Sequence, residues 1–133
     1  KKAIMQAVEN GVLGWEQKDV ELATKDYAEV TDWTNAFGDR YESKKELAGF
    51  FQFLFKLPTV MAGKTEYTDH DLKFISSNIA LLRSKSERIG QKKEDGSAHG
   101  DRHITHLRVF EKQNGQWLII SHLIAQELDA SKR

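Results

Sequence analysis

Apolar residues in the first part of the chain recur first at helical spacing and then at strand spacing. Four of them lie four, four and three residues apart: Ile4, Val8, Val12 and Trp15. This stripe predicts a helix that buries one face, and Gly11 and Gly14 beside it would let another backbone approach closely. Asp19 can cap a second, short helix that runs to about Lys25. Residues 27–37 then alternate as a strand that ends before a glycine.

The central segment carries the clearest helix signal. Ser43 and Glu46 form the capping box S-x-x-E. Apolar residues follow at helical spacing: Leu47, Phe50, Phe51, Leu54 and Phe55. Pro58 stops the pattern. Because this aromatic face is too large to remain in water, we expect the helix to lie on a sheet.

The second half of the chain predicts four strands joined mainly by hairpins. They cover residues 66–75, 79–90, 102–112 and 116–126. A polar loop at 91–100 precedes the third, and Gln113-Asn114-Gly115 is a hairpin signal before the fourth. In the strand at 79–90 either Leu81 or Leu82 can face the helices. The predicted order is α-α-β-α-β-β-β-β in one α+β domain over 1–133, with helices on one face of a curved antiparallel sheet.

Composition narrows the class of protein. The chain has 133 residues, of which 39% are hydrophobic and 30% charged, as is typical of a folded domain. Twenty basic residues balance twenty acidic ones, so the sequence favours neither nucleic acid nor a membrane as a partner. The absence of cysteine excludes disulfides, thiolate metal sites and a cysteine nucleophile. No apolar run approaches the ~18 residues that span a bilayer. We expect a soluble protein, either cytoplasmic or exported after loss of a leader before Lys1.

Three segments together resemble the nuclear transport factor 2-like superfamily, and within it the SnoaL-like small bacterial proteins. They read WEQKDVELATKDYAEVTDWTNAFG, SKKELAGFF and HITHLRVFEKQNGQWLIISHLIAQE. The resemblance covers nearly the whole chain and implies a cone, in which a curved sheet wraps around three helices and encloses a pocket. It also implies a homodimer formed through the outer sheet face. Superfamily members include isomerases, dehydratases, cyclases, epoxide hydrolases and non-catalytic binding or assembly domains, so the fold does not decide the function.

The ketosteroid isomerases of that superfamily allow a comparison residue by residue. Aligned on the turn after the first strand, their aspartate base falls on Asn35, which cannot take a proton at neutral pH. Their oxyanion-hole tyrosine falls near Gly11, and their second acid falls on His106. His122 takes a pocket-facing position on the last strand. Because the polar groups of that mechanism are replaced, the resemblance argues against ketosteroid isomerisation.

The predicted pocket combines polar and apolar side chains. By the resemblance, Trp33 and Asn35 look inward. By alternation, two further strands present one face each: Ile104, His106, Arg108 and Phe110 on the first, and Ile120, His122 and Ile124 on the second. We expect Arg108 at the rim of this pocket and the isoleucines and Phe110 in its apolar wall.

Two histidines and an amide permit a definite mechanism. A neutral imidazole, of His106 or His122, would remove a proton next to a carbonyl. Asn35 or the second, protonated histidine would stabilise the oxyanion. Such a site suits a cofactor-free dehydratase, isomerase or cyclase. The same residues also have a structural interpretation, in which the histidines are hydrogen-bonded core residues, Asn35 satisfies the turn, and Trp33 packs.

A metal site is the weaker alternative. His103 and His106 are three residues apart on a predicted strand and so point to opposite faces, and His99 lies in the loop. Tyr67 and the polar residues at 69–71 could supply a rim contact or a base, but we interpret them as an exposed strand end. The sequence has no phosphate-binding glycine loop, nucleophile elbow or dinucleotide fingerprint, so it indicates no cofactor.

The sequence therefore leaves three functions open. The first is an acid–base enzyme on an apolar organic substrate. The second is a non-catalytic module that binds a small apolar ligand. The third is a dimeric assembly domain, which is compatible with either of the others.

Overall fold

The computed structural model describes residues 1–90, 95 and 102–128. Its helices are α1 (Lys2–Gln17), α2 (Val20–Thr24), α3 (Lys44–Leu54) and α4 (Pro58–Met61). Its strands are β1 (Tyr27–Thr34), β2 (Arg40–Ser43), β3 (Lys64–Phe74), β4 (Ile79–Ile89), β5 (Arg102–Gln113) and β6 (Gln116–Gln126). The predicted α+β fold is confirmed. The loop predicted at 91–100 lies outside the described residues, apart from position 95.

The six strands of the described residues join one curved, unclosed sheet in the order β2-β1-β6-β5-β4-β3. Each neighbouring pair is antiparallel except β1 and β6, which run parallel. The predicted antiparallel pairing is found at the other four pairs and not at this one. The chain leaves β1 and β2 through α3 and α4 and starts β3 at the far edge. The hairpins from β3 to β6 then bring the last strand beside the first, in the same direction.

The sequence does not predict two short elements. Strand β2 has four residues, too few for alternation to show, and it places Tyr41 opposite Trp33 of β1. Helix α4 begins at Pro58, which sequence analysis takes only as the stop of the preceding helix. Proline fits this position because the first N–H of a helix has no partner within the helix.

Helices α1 and α2 meet at Gly14. A Cβ added there would lie 2.4 Å from the backbone nitrogen of Ala23, so a residue larger than glycine would force the helices apart. A Cβ added at Gly11 would meet nothing within 4 Å. The predicted close approach is therefore found at Gly14 and not at Gly11. Asp19 caps α2 as predicted, since its carboxylate accepts from the N–H of Leu22.

Helix α3 covers the inner face of the sheet. It begins at its predicted cap, where Ser43 Oγ accepts from the N–H of Glu46 at 3.1 Å. Leu47 and Phe51 form its buried face, and the ring of Phe51 lies 5.7 Å from that of Trp33 in an edge-to-face contact. The core that results contains residues of every layer: Ile4, Val8, Trp33, Leu47, Phe51, Phe55, Leu82, Phe110 and Ile119.

The register of β4 decides which polar groups face the helices. Leu82, Ser84, Ser86 and Arg88 are buried on the inner face, whereas Arg83 is exposed on the other side. Of the two registers that the sequence leaves open, the chain thus adopts the one with Leu82 inward. The inner face of β4 therefore carries two hydroxyls and a guanidinium.

Candidate functional site

A cavity of about 650 Å³ lies between the helices and the inner face of the sheet. The helical wall is apolar and aromatic: Val8, Val12, Trp15, Phe50, Phe51 and Leu54. The sheet contributes most of the polar side chains: Tyr27, Tyr67, Ser86, Arg88, His106, Arg108 and His122. The volume is that of a site for a small organic molecule.

Most residues predicted for the pocket lie in this wall: Trp33, Asn35, Ile104, His106, Arg108, His122 and Ile124. Two predictions are wrong. Phe110 is completely buried in the core and does not border the cavity. Ile120 faces the opposite side of the sheet, where it borders a surface depression together with Val30.

A β-bulge explains the position of Ile120. Val109 of β5 is opposite Ser121, whereas Phe110 is opposite Ile119. Ile120 is therefore an extra residue in the pair and interrupts the alternation of β6. Ile119 borders the cavity in its place, and His122 beyond the bulge still faces inward.

Four buried side chains of the inner face form one hydrogen-bonded series, which we call the Tyr–His–His–Ser chain. Tyr27 Oη lies 2.7 Å from Nδ1 of His122. Nε2 of His122 lies 2.9 Å from Nδ1 of His106. Nε2 of His106 lies 2.9 Å from Ser86 Oγ. Both nitrogens of both rings thus have a protein partner.

The sheet order produces this series. Strands β4, β5, β6 and β1 are consecutive neighbours, and each contributes one member of the Tyr–His–His–Ser chain. Side chains on the same face of adjacent strands are close enough to interact. The parallel pairing of β1 with β6 is what brings Tyr27 next to His122.

Both histidines of the series are neutral at neutral pH. Burial, and next the positive charge of Arg108, lowers the pKa of His106 and of His122 well below the usual 6.5. Burial likewise raises the pKa of Tyr27, so its hydroxyl keeps its proton. A neutral imidazole donates from one nitrogen and accepts at the other. All hydrogen bonds of the series therefore point the same way, either from Tyr27 towards Ser86 or in reverse.

Arg108 is buried in the same wall, with 6% of its surface exposed, and not at the rim as predicted. Its Nη2 donates to Tyr67 Oη at 2.6 Å. Its Nη1 is buried and has no hydrogen-bond partner in the part of the chain that the structure describes. Arg88, also buried in the wall, donates instead to three oxygen atoms within residues 60–65.

Asn35 borders the cavity, but its carboxamide holds the turn that follows β1. Its Oδ1 accepts from the N–H groups of Phe37 and Asp39, each at 3.0 Å. Its Nδ2 donates to the Asp39 carboxylate, also at 3.0 Å. The predicted catalytic role of Asn35 is corrected accordingly, because these bonds serve the turn and do not join it to the histidines.

Among the polar residues of the wall, the sequence analysis missed Tyr27, Ser86 and Arg88, and it wrongly interpreted Tyr67 as part of an exposed strand end. Ser86 and Arg88 follow from the inward register of β4, which the sequence leaves open. Tyr27 lies beyond an irregularity in the pairing of β1, and Glu29 between it and Trp33 is exposed, so alternation from Trp33 does not predict its position. The position of Tyr67 in the wall could not be predicted, because a bulge between Tyr67 and Asp69 interrupts the alternation of β3.

Among the described residues, no group of three His, Cys, Asp or Glu side chains could hold a metal ion. His103 is exposed and lies 3.5 Å from Glu87, whereas His106 borders the cavity. The third predicted candidate, His99, lies outside the described residues. No helix in the described ranges is long and apolar enough to cross a bilayer.

Comparison with known proteins bears on the fold. No family model and no curated protein matches the chain. A cystatin-like domain of unknown function from Nostoc punctiforme shares 23% identity over 98% of this chain and 79% of its own, with a TM-score of 0.81. A nuclear transport factor 2-like protein of unknown function from Shewanella oneidensis shares 13% identity over 93% of this chain and 97% of its own, with a TM-score of 0.75. The chain has the nuclear transport factor 2-like fold.

An enzyme also shares this nuclear transport factor 2-like fold. A type 2 hexachlorocyclohexane dehydrochlorinase matches 96% of this chain and 84% of its own at 13% identity, with a TM-score of 0.83. At these identities the likeness shows the fold alone. The narrower resemblance to SnoaL-like proteins stays a prediction.

Proposed function

We propose that the protein is a cofactor-free acid–base enzyme of the dehydratase, isomerase or cyclase type, acting on a small organic substrate. The observation that carries this proposal is the Tyr–His–His–Ser chain in the wall of a largely apolar cavity. Pairs of imidazole and hydroxyl groups within hydrogen-bond distance are suited to proton transfer. One structural neighbour is named as a dehydrochlorinase, which agrees with an elimination reaction on this fold.

The proposed mechanism takes a proton at one end of the Tyr–His–His–Ser chain and delivers one at the other. A substrate that displaces the Ser86 hydroxyl meets Nε2 of His106, which removes a proton from the carbon next to a carbonyl. The proton on Nδ1 of His106 passes to Nε2 of His122. The proton on Nδ1 of His122 passes to Tyr27 Oη. The hydroxyl proton of Tyr27 goes to a substrate oxygen, which becomes an enol or leaves as water.

A relay of this kind suits a site that disfavours charged histidines. Burial and Arg108 lower the pKa of both rings, so an imidazolium is unfavourable here. In the relay each ring gains one proton as it loses another, and neither stays charged. The protonated second histidine that the sequence analysis invokes does not fit this environment.

Deuterium exchange tests the proposal without knowledge of the product. The protein is incubated in D₂O with a panel of aryl ketones and β-hydroxy ketones, and loss of the α-proton signal is followed by NMR. We expect exchange above the buffer rate, and its loss in His106→Asn and His122→Asn. His103→Asn is the matched control, since that ring is exposed and outside the cavity. Exchange that persists in both cavity variants would refute the mechanism.

A non-catalytic binding module is the second candidate. The observation that favours it is that all four ring nitrogens of His106 and His122 already have protein partners. Such a satisfied network can simply hold a core together. Ligands that raise Tm without any exchange of their α-protons would favour this candidate.

We also propose that the protein forms a homodimer through the outer sheet face. Apolar side chains of adjacent strands are neighbours there: Leu81, Leu107, Val109 and Leu123. Val30 is 82% exposed, and the bulge turns Ile120 towards the same depression. Burying such a patch is favourable. Sedimentation should give a dimer for the native chain and a monomer for Leu123→Lys, whereas a native monomer would contradict the proposal.

A further inference from the structure

We propose that the cavity binds a small organic carboxylate, held by a charge-assisted hydrogen bond from Nη1 of Arg108. Arg108 borders the cavity and is buried, and its Nη1 has no hydrogen-bond partner within the described residues. This inference goes beyond the proposed function, because it names the chemical class of the ligand and holds whether or not turnover follows.

Three acidic residues border the cavity, Glu16, Asp26 and Asp39, but in the described part of the chain none of them forms an ion pair with Arg108. The one side-chain hydrogen bond of Arg108 in that part of the chain goes to the neutral hydroxyl of Tyr67. A guanidinium stays charged at neutral pH, and a buried charge is destabilising unless it is paired. The ligand-free protein therefore keeps an unfavourable charge that an anion in the cavity would neutralise.

Arg88 shows what a purely structural arginine looks like in the same wall. It is buried to a similar degree, but Nη1 donates to Thr65 Oγ1 and Nη2 donates to the carbonyl oxygens of Val60 and Ala62. Those bonds connect the start of β3 and the end of α4 to β4. Arg108 makes no comparable set of hydrogen bonds to neighbouring elements. Packing alone does not explain its buried, unbonded Nη1.

The surroundings favour a monoanion with an aromatic or aliphatic body. Several aromatic side chains border the same space, among them Trp33, Phe50 and Phe51. One unbonded nitrogen matches one carboxylate oxygen, and the acidic residues Glu16, Asp26 and Asp39 at the border of the cavity disfavour the second negative charge of a phosphate dianion. The positive charge of Arg108 also lowers the pKa of His106 and His122, so a bound carboxylate would offset that effect and make the rings more basic.

A matched pair of ligands tests the inference on the native protein. Binding of 2-naphthoate and of 2-naphthamide, which differ in charge but hardly in shape, is measured by calorimetry at pH 7.5. We expect the carboxylate to bind roughly 10- to 100-fold tighter than the amide, as for a hydrogen bond to a charged group. Equal affinities, or no binding of either, would overturn the inference. Tighter binding of 2-naphthyl phosphate than of naphthoate would overturn the choice of a carboxylate.

Two substitutions locate the effect. Arg108→Gln should abolish the preference for the carboxylate. Arg83→Gln is the matched control and should retain the preference, because the substitution removes the same charge from a side chain that is exposed on the other side of the sheet. Without ligand, Arg108→Gln should also melt at a higher temperature than the native chain, since the unpaired charge is gone. A preference for the carboxylate that survives in Arg108→Gln would overturn the inference. If Arg108→Gln fails to fold, the relative affinities of naphthoate and naphthamide for the native protein decide whether the inference holds. Absence of deuterium exchange would refute the proposed enzyme and leave this binding result unaffected.

Discussion

The buried histidine pair should make the stability of the protein depend on pH below neutrality. In the unfolded chain both rings take up protons as the pH falls through about 6.5. In the folded protein they do not, because burial and Arg108 lower the pKa of His106 and of His122 well below that value. The unfolded state thus binds more protons in this range, so the free energy of unfolding falls as the pH falls.

The size of the effect follows from proton counting. One proton bound only by the unfolded chain changes the free energy of unfolding by about 1.4 kcal/mol per pH unit. The two rings together give a limiting slope of about 3 kcal/mol per pH unit, reached once the pH is well below 6.5 and still above the folded-state pKa values. For a domain of ordinary stability, one or two pH units would therefore remove a large fraction of the total.

Urea unfolding at a series of pH values between 5 and 8 measures the slope directly. We expect His122→Asn to reduce it by about 1.4 kcal/mol per pH unit, because one of the two rings is gone. The readout is the slope, so an overall loss of stability in the variant does not affect the comparison. Parallel curves for the native chain and His122→Asn would refute the reasoning.

Four further substitutions test local features of the fold. Gly14→Ala should destabilise the protein by about 1–3 kcal/mol, because the added Cβ would collide with the backbone of Ala23. Gly11→Ala should instead stabilise the protein by up to ~1 kcal/mol, because a Cβ there meets nothing within 4 Å. Equal effects of the two substitutions in thermal melts would contradict the close approach at Gly14. Asn35→Ala should cost about 1–3 kcal/mol in chemical denaturation, since the turn loses its acceptor for two N–H groups; an unchanged midpoint would refute that role. Ser43→Ala should cost about 1 kcal/mol in the same assay, and no loss would show that the cap is dispensable.

The elements that sequence analysis predicted well are those with a local signal. The cap at Ser43 and the glycine turn after Gln113 are encoded within a few residues, and both occur where predicted. The position of β1 beside β6 has no local signal, since it depends on where the whole chain returns. Strand β2 is too short to show a period.

The site could be predicted only where strands alternate regularly. Alternation from His106 correctly reached Ile104 and Arg108, which border the cavity with it. Alternation failed at Ile120 because a bulge adds one residue to β6, and no pattern in the sequence predicts that bulge. The depth of Arg108 was also missed, because burial depends on the helices that cover the sheet and not on the strand itself.

The parallel pairing of the first strand with the last has a consequence for how the protein folds. The hydrogen bond between Tyr27 and His122 joins residues that are 95 positions apart. Closing so long a loop is entropically unfavourable and must be offset by contacts made elsewhere beforehand. We therefore expect the hairpins of β3 to β6 to form early and β1 to dock onto β6 late. The cavity would then be assembled in the last step of folding, and pulse-labelled hydrogen exchange should find the amides of β1 among the last to gain protection.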